Sequence, residues 1–83
     1  MEEIRKRIEP VIRENGYILD SVEYVKEGKT NSLVVVIDKD NITVEDCVIV
    51  SNLINPIIDE VDIIKESYIL DVCTKERGKE DEH

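Results

Sequence analysis

The sequence predicts an α+β domain, a two-layer sandwich with both helices on one face of a three-stranded sheet, in the order helix, strand, strand, helix, strand. Three observations carry that expectation. Apolar residues recur at helical spacing in two stretches, around residues 4–12 and 47–61. They alternate at strand spacing in three others, and turn-forming or capping residues stand at most of the joins. With 83 residues, the chain has material for one core.

In the first helical stretch, Ile4, Ile8, Val11 and Ile12 share one face, and Asn15-Gly16 supplies a C-terminal stop. Pro10 interrupts that pattern. It removes a backbone donor and crowds the Lys6 carbonyl, so a bend or a separately started first turn is expected. "YILDSVEYVKEG" then changes period: Val22 and Tyr24 alternate with Ser21, Glu23 and Val25 as a strand buried on one side. "EGKTN" reads as a loop, with Gly28 and Asn31 as turn formers. In "SLVVVIDKD", Leu33, Val35 and Ile37 share one face and Val34 and Val36 the other, which predicts a central or well-covered strand.

Thr43 is placed to cap the second helix, with Asp46 in the acidic position of a capping box. Cys47, Val50, Ile54, Ile57, Ile58 and Val61 then fall within one arc, with Ser51 at its edge. Ile49 and Leu53 form a second, narrower strip, and Pro56 is expected to bend or end the helix. Tyr68, Leu70 and Val72 alternate with Ile69, Asp71 and Cys73 as the last strand. The domain is therefore assigned to residues 1–73. The remainder, 74–83 ("TKERGKEDEH"), is too polar to pack and is expected to be disordered.

Composition excludes more functions than it suggests. The longest apolar run, "LVVVI", falls far short of the roughly 20 residues that span a bilayer. "MEEIRKRIEP" has no signal-peptide core, so a cytoplasmic location is expected by default. Cys47 and Cys73 lie 26 positions apart without metal-ligand neighbours and read as reduced thiols. "DKDNITVEDCVI" opens like a calcium loop, but Thr43 stands where glycine is required and Ile49 where glutamate is. The single histidine is His83, the last residue, which removes the usual base for nucleophilic catalysis. The pairs Asp38/Asp40 and Glu45/Asp46 read as loop and helix-dipole carboxylates rather than as acid–base catalysts. A protein that is not an enzyme, with no metal and no cofactor, is expected.

The net charge is −9, and the acidity is concentrated in the middle of the chain. Residues 38–71 carry nine acids against Lys39 and Lys65, net −7. An acidic face built from Asp38, Asp40, Glu45, Asp46, Asp59, Glu60 and Asp62 would repel phosphate and attract lysine- and arginine-rich surfaces. A solvated face that merely keeps the domain soluble is the plain alternative. Two further readings stand beside these. Ile49 and Leu53 suggest a self-associating or regulatory interaction module, unless "VDII" at residues 61–64 folds back over them. Arg5, Lys6 and Arg7 form the one phosphate-friendly cluster and are the candidate RNA contact.

The segments "GYILDSVEYVKEG", "LVVVIDKD", "ITVEDC" and "YILDVC", in that order and spacing, resemble the N-terminal domain of the ribosome maturation factor RimP family across about residues 4–73. The positions that match its pattern are Gly16, Tyr17, Glu23, Asp38, Asp46, Cys47 and Ser51, of which Gly16, Tyr17 and Cys47 read as structural. The resemblance implies a non-enzymatic assembly cofactor of the small (30S) ribosomal subunit. The partners it implies are that subunit and a basic ribosomal protein; 16S rRNA contact belongs to the reading of Arg5, Lys6 and Arg7, and a monomer is expected. One departure is clear. Cys73-Thr74-Lys75 replaces the family's Ser-Ser-Pro-Gly turn, and only ten residues follow Cys73. The family's second, small-barrel domain is therefore expected to be absent, in a chain naturally short rather than cut.

Overall fold

A computed structural model describes residues 2–75. They form α1 (Glu2–Glu14), β1 (Ile18–Glu27), β2 (Thr30–Asp38), α2 (Val44–Val61) and β3 (Ile69–Thr74), the expected element order. The sheet is mixed, in the order β1-β2-β3. β1 and β2 pair antiparallel through a two-residue turn, Gly28-Lys29. β2 and β3 pair parallel, with α2 as the crossover between them.

Each element follows from its pattern. α1 buries Ile4, Ile8 and Ile12 completely, the spacing of four that one helix face requires. It stops in a Schellman motif: Gly16 N–H donates to the Arg13 carbonyl and Tyr17 N–H to the Ile12 carbonyl, both at 3.0 Å. Gly16 occupies the left-handed region at φ 87°, where a side chain would be strained. In the sheet, Leu33, Val35 and Ile37 of β2 point inward and are fully buried. They are flanked by Leu19 and Val22 of β1 and by Leu70 and Val72 of β3. A bulge between Leu19 and Ser21 lets β1 keep both Leu19 and Val22 on the inner face. α2 lays Cys47, Val50, Ile54 and Ile58 on this layer, while α1 packs on β1 and α2. Both helices thus cover one side of the sheet.

Several local expectations are corrected. Pro10 and Pro56 both lie inside continuous helices; α1 starts no separate turn, and α2 runs on to Val61 with Asp62 as a left-handed C-cap at φ 49°. Asn31 is not a turn residue but belongs to β2, where its Nδ2 donates to the Ser67 carbonyl at 3.1 Å. β2 is central but not covered on both sides: Val34 and Val36 are only half-buried and stand outside the core. The strand alternation continues one residue past Cys73, so Thr74 closes β3 and is buried. The disordered tail expected from residue 74 otherwise falls, from 76 onward, outside the described residues.

Candidate binding surface

The best-organised polar cluster is built around Asp46. Thr43 caps α2 as expected: the Asp46 N–H donates to Thr43 Oγ1 at 3.3 Å, and the Thr43 N–H donates back to Asp46 Oδ2 at 2.8 Å. The Tyr17 hydroxyl, just past the end of α1, donates to Asp46 Oδ1 at 2.6 Å. Lys39 Nζ stands 3.7 Å from the same oxygen and 5.1 Å from the Tyr17 ring centroid, a cation–π distance. Tyr17's hydrogen bond, Thr43's backbone and hydroxyl donors, and Lys39's charge hold the Asp46 carboxyl below the usual carboxylate range. The same bond, with burial, pushes the Tyr17 hydroxyl up to about 12. Asp46 is 9% exposed, so it is turned inward and its oxygens are engaged. It ties the α1–β1 junction to the start of α2.

A second cluster pins the segment between α2 and β3. Glu66 Oε1 accepts from Tyr24 Oη at 3.1 Å and stands 2.9 Å from Lys26 Nζ. Lys26 and then Tyr24 lower the Glu66 pKa, and Glu66 in turn raises that of Lys26. Both clusters join elements of the fold.

The remaining acidic residues separate into two groups. Asp38, Asp40 and Glu45 gather where β2 leads into α2, and Asp59, Glu60 and Asp62 at the helix's other end. Glu45 and Asp59 share the solvent side but lie fourteen residues apart, about 21 Å along the axis at 1.5 Å per residue. The acidic residues therefore bracket α2 rather than form one patch. Within the C-terminal group, Arg7 Nη2 is 3.6 Å from Glu60 and Lys65 Nζ is 3.0 Å from Asp62. Asp40, Glu45 and Asp59 are exposed and make no ion pair among the described residues.

Between the two acidic ends, the solvent face of α2 carries the apolar Val48 and Ile49 beside the exposed Asn52, Asn55 and Pro56. Val48 is 56% exposed, Ile49 46% and, at the helix start, Val44 65%. Residues 61–64 do not cover Ile49; Ile64 packs against the core, and Ile63 and Ile64 line a shallow groove with Tyr24. Leu53, the partner expected for Ile49, is half-buried against the core instead. Val44 and Val48 were missed by sequence reasoning, although their separation of four residues is a helical-face signal.

The other singled-out residues lie apart from this surface. Gly16 stops α1, Cys47 is buried in the core, and Ser51 is half-buried on α2. Glu23 is exposed on β1. Arg5 is half-buried on α1, while Lys6 and Arg7 are exposed. No group of three or more histidine, cysteine, aspartate or glutamate residues could hold a metal among those described, and no described helix is long and apolar enough to cross a membrane.

The described residues form a small acidic α+β domain whose organised polar groups brace its own elements and whose solvent face carries apolar and acidic residues. The family model for the RimP N-terminal domain matches residues 7–75, from α1 through the end of β3. The chain belongs to the RimP family of ribosome maturation factors, proteins that associate with ribosomal subunits.

Proposed function

We propose that this domain is a non-enzymatic cofactor in maturation of the small (30S) ribosomal subunit, acting in the cytoplasm as a monomer. It engages a basic ribosomal protein through the solvent side of α2. The observation that carries the reading is the family match over residues 7–75, taken with the −7 charge of residues 38–71. Asp40, Glu45 and Asp59 make no ion pair among the described residues, and Glu60 and Asp62 extend that charge at the helix's far end. Asp46 contributes by fixing the helix start rather than by touching the partner.

The physics favours a hold that is easily released. Exposed carboxylates raise the rate of encounter with a cationic chain more than they slow its departure. The partner can then pass to rRNA phosphates, which this surface repels. Val48 and Ile49 supply apolar contact between the two charged ends. Direct 16S rRNA contact through Arg5, Lys6 and Arg7 has less support, because Arg7 already faces Glu60 and Arg5 is half-buried. Self-association through Val44, Val48 and Ile49 is the rival that the exposed apolar strip favours.

Co-sedimentation of the chain with immature and mature small subunits at low salt tests the proposal. Binding to the particles, with a monomer by light scattering across micromolar concentrations, is expected. No pelleting with either particle would overturn it, and concentration-dependent dimers would favour self-association.

A further inference from the structure

The sheet has a second side that the helices leave uncovered. By register, Ser32, Val34 and Val36 of β2 face away from the core, and their partners on that side are Val25, Glu23 and Ser21 of β1 and Ile69, Asp71 and Cys73 of β3. None of the apolar residues on this side joins the core cluster. Ile69 is 58% exposed, while Val25, Val34 and Val36 are half-buried. In an antiparallel or mixed sheet, an outer face that meets only water is normally polar. Here valine and isoleucine run along its centre and one end.

Most of the charges around that strip are negative; Lys29 stands at the turn beside Ile69, and the carboxylates lie along the strands. Glu23 and Asp71 are both exposed and flank Val34 directly across the two ladders. Asp38 and Glu27 stand on the same side at the two ends of the antiparallel ladder. Just beyond β3, Lys75 lies 3.6 Å from Asp20 at the bulge, so its charge is already matched. With strands about 4.8 Å apart, Glu23 and Asp71 are separated by about 10 Å across Val34. A cationic side chain can lay its methylenes on the valine and reach a carboxylate on either side.

We propose that the outer face of the sheet is a docking surface for a cationic amphipathic polypeptide segment, in which lysine or arginine alternates with small apolar residues. The occupant follows from charge and area. A polyanion is repelled. A second copy would set the same carboxylates against each other. The face measures roughly 14 Å by 30 Å, about half the 800 Å² that each side of a standard stable interface contributes. A single peptide segment fits that area better than a domain. The surface lies across the sheet from α2 and does not depend on the ribosomal reading.

Isotope-edited NMR of the full 83-residue chain tests this with three synthetic peptides. One alternates lysine with valine, one lysine with serine, and one glutamate with valine. The lysine–valine peptide is expected to shift the amides of residues 32–36 together with those of Glu23 and Asp71. It should bind about tenfold more tightly than the lysine–serine peptide, a difference of about 1.4 kcal/mol. The glutamate peptide should not bind. Glu23→Gln combined with Asp71→Asn, both at exposed positions where folding is retained, should weaken binding about tenfold. Val34→Thr, which keeps the β-branched shape, should weaken it with an unchanged fold. Equal binding of both lysine peptides would overturn the proposal. So would shifts concentrated on α2 or along one sheet edge, an unaffected charge variant, or burial of this face in a dimer of the chain itself.

Discussion

At the scale of single residues, the Tyr17–Asp46 bond is the contact with the clearest consequences. It joins residues 29 apart in sequence at 2.6 Å. Tyr17→Phe leaves the ring in place but removes a donor to a carboxylate. A loss of about 2 kcal/mol in urea unfolding is expected, since bonds to charged groups contribute roughly 1.5–3 kcal/mol. The pH dependence has two limbs. The Asp46 pKa is lowered on folding, so its contribution is present above the unfolded value near pH 4 and is lost as the pH falls below that toward the folded value. The Tyr17 pKa is raised from 10.0 to about 12, so its contribution is complete below pH 10 and disappears as the pH rises to about 12. Unfolding curves of wild type and Tyr17→Phe should therefore diverge least above pH 12; a constant difference through pH 10–12 would contradict that assignment. The capping box was legible in the sequence because Thr43 and Asp46 are three residues apart. The Tyr17 bond was not, because only the packing of α1 against α2 brings it there.

At the scale of elements, periodicity read the helices and strands well but left open whether either helix continues through its proline, and both do. Proline inside a helix costs about 3 kcal/mol, and burying an isoleucine contributes roughly 1.5–3 kcal/mol. Beyond Pro10, α1 still buries Ile12; beyond Pro56, α2 buries Ile58 and half-buries Ile57 and Val61. Burial exceeds the backbone cost in α2 and roughly offsets it in α1, where Val11 is also half-buried, a comparison that local pattern alone does not make. Ile54→Ala, at a fully buried position on α2, is expected to cost about 2–5 kcal/mol in chemical denaturation. Gly16→Ala meets no atom within 4 Å, so only its left-handed backbone is penalised. A loss of about 1 kcal/mol is expected there. A loss as large as that of Ile54→Ala would mean that Gly16 does more than stop α1. The sheet taught a similar lesson. Alternating valines identified β2 as central, but which of its faces the helices cover is a property of the crossover, not of the strand.

At the scale of the whole molecule, the acidic middle of the sequence was read as one acidic face, and the fold places its residues at the two ends of α2. The eighteen residues of α2 carry Glu45 and Asp59 to opposite ends, and folding draws Asp46 inside. What remains exposed is two acidic ends with Val48, Ile49, Asn52 and Asn55 between them. Such a surface should act at long range and be screened beyond roughly 10 Å at 0.1 M salt. Association with the assembling subunit is thus expected to weaken steadily as salt rises, and a salt-independent affinity would point to the apolar strip as the main determinant. The most direct measurement compares wild type with the variant Asp40→Asn, Glu45→Gln, Asp59→Asn, Glu60→Gln in pelleting with small subunits at stepped ionic strength. The variant should retain its fold, lose most of the low-salt binding and show a flatter salt dependence. A variant that pelleted as well as wild type at every salt concentration would contradict the role given to these carboxylates.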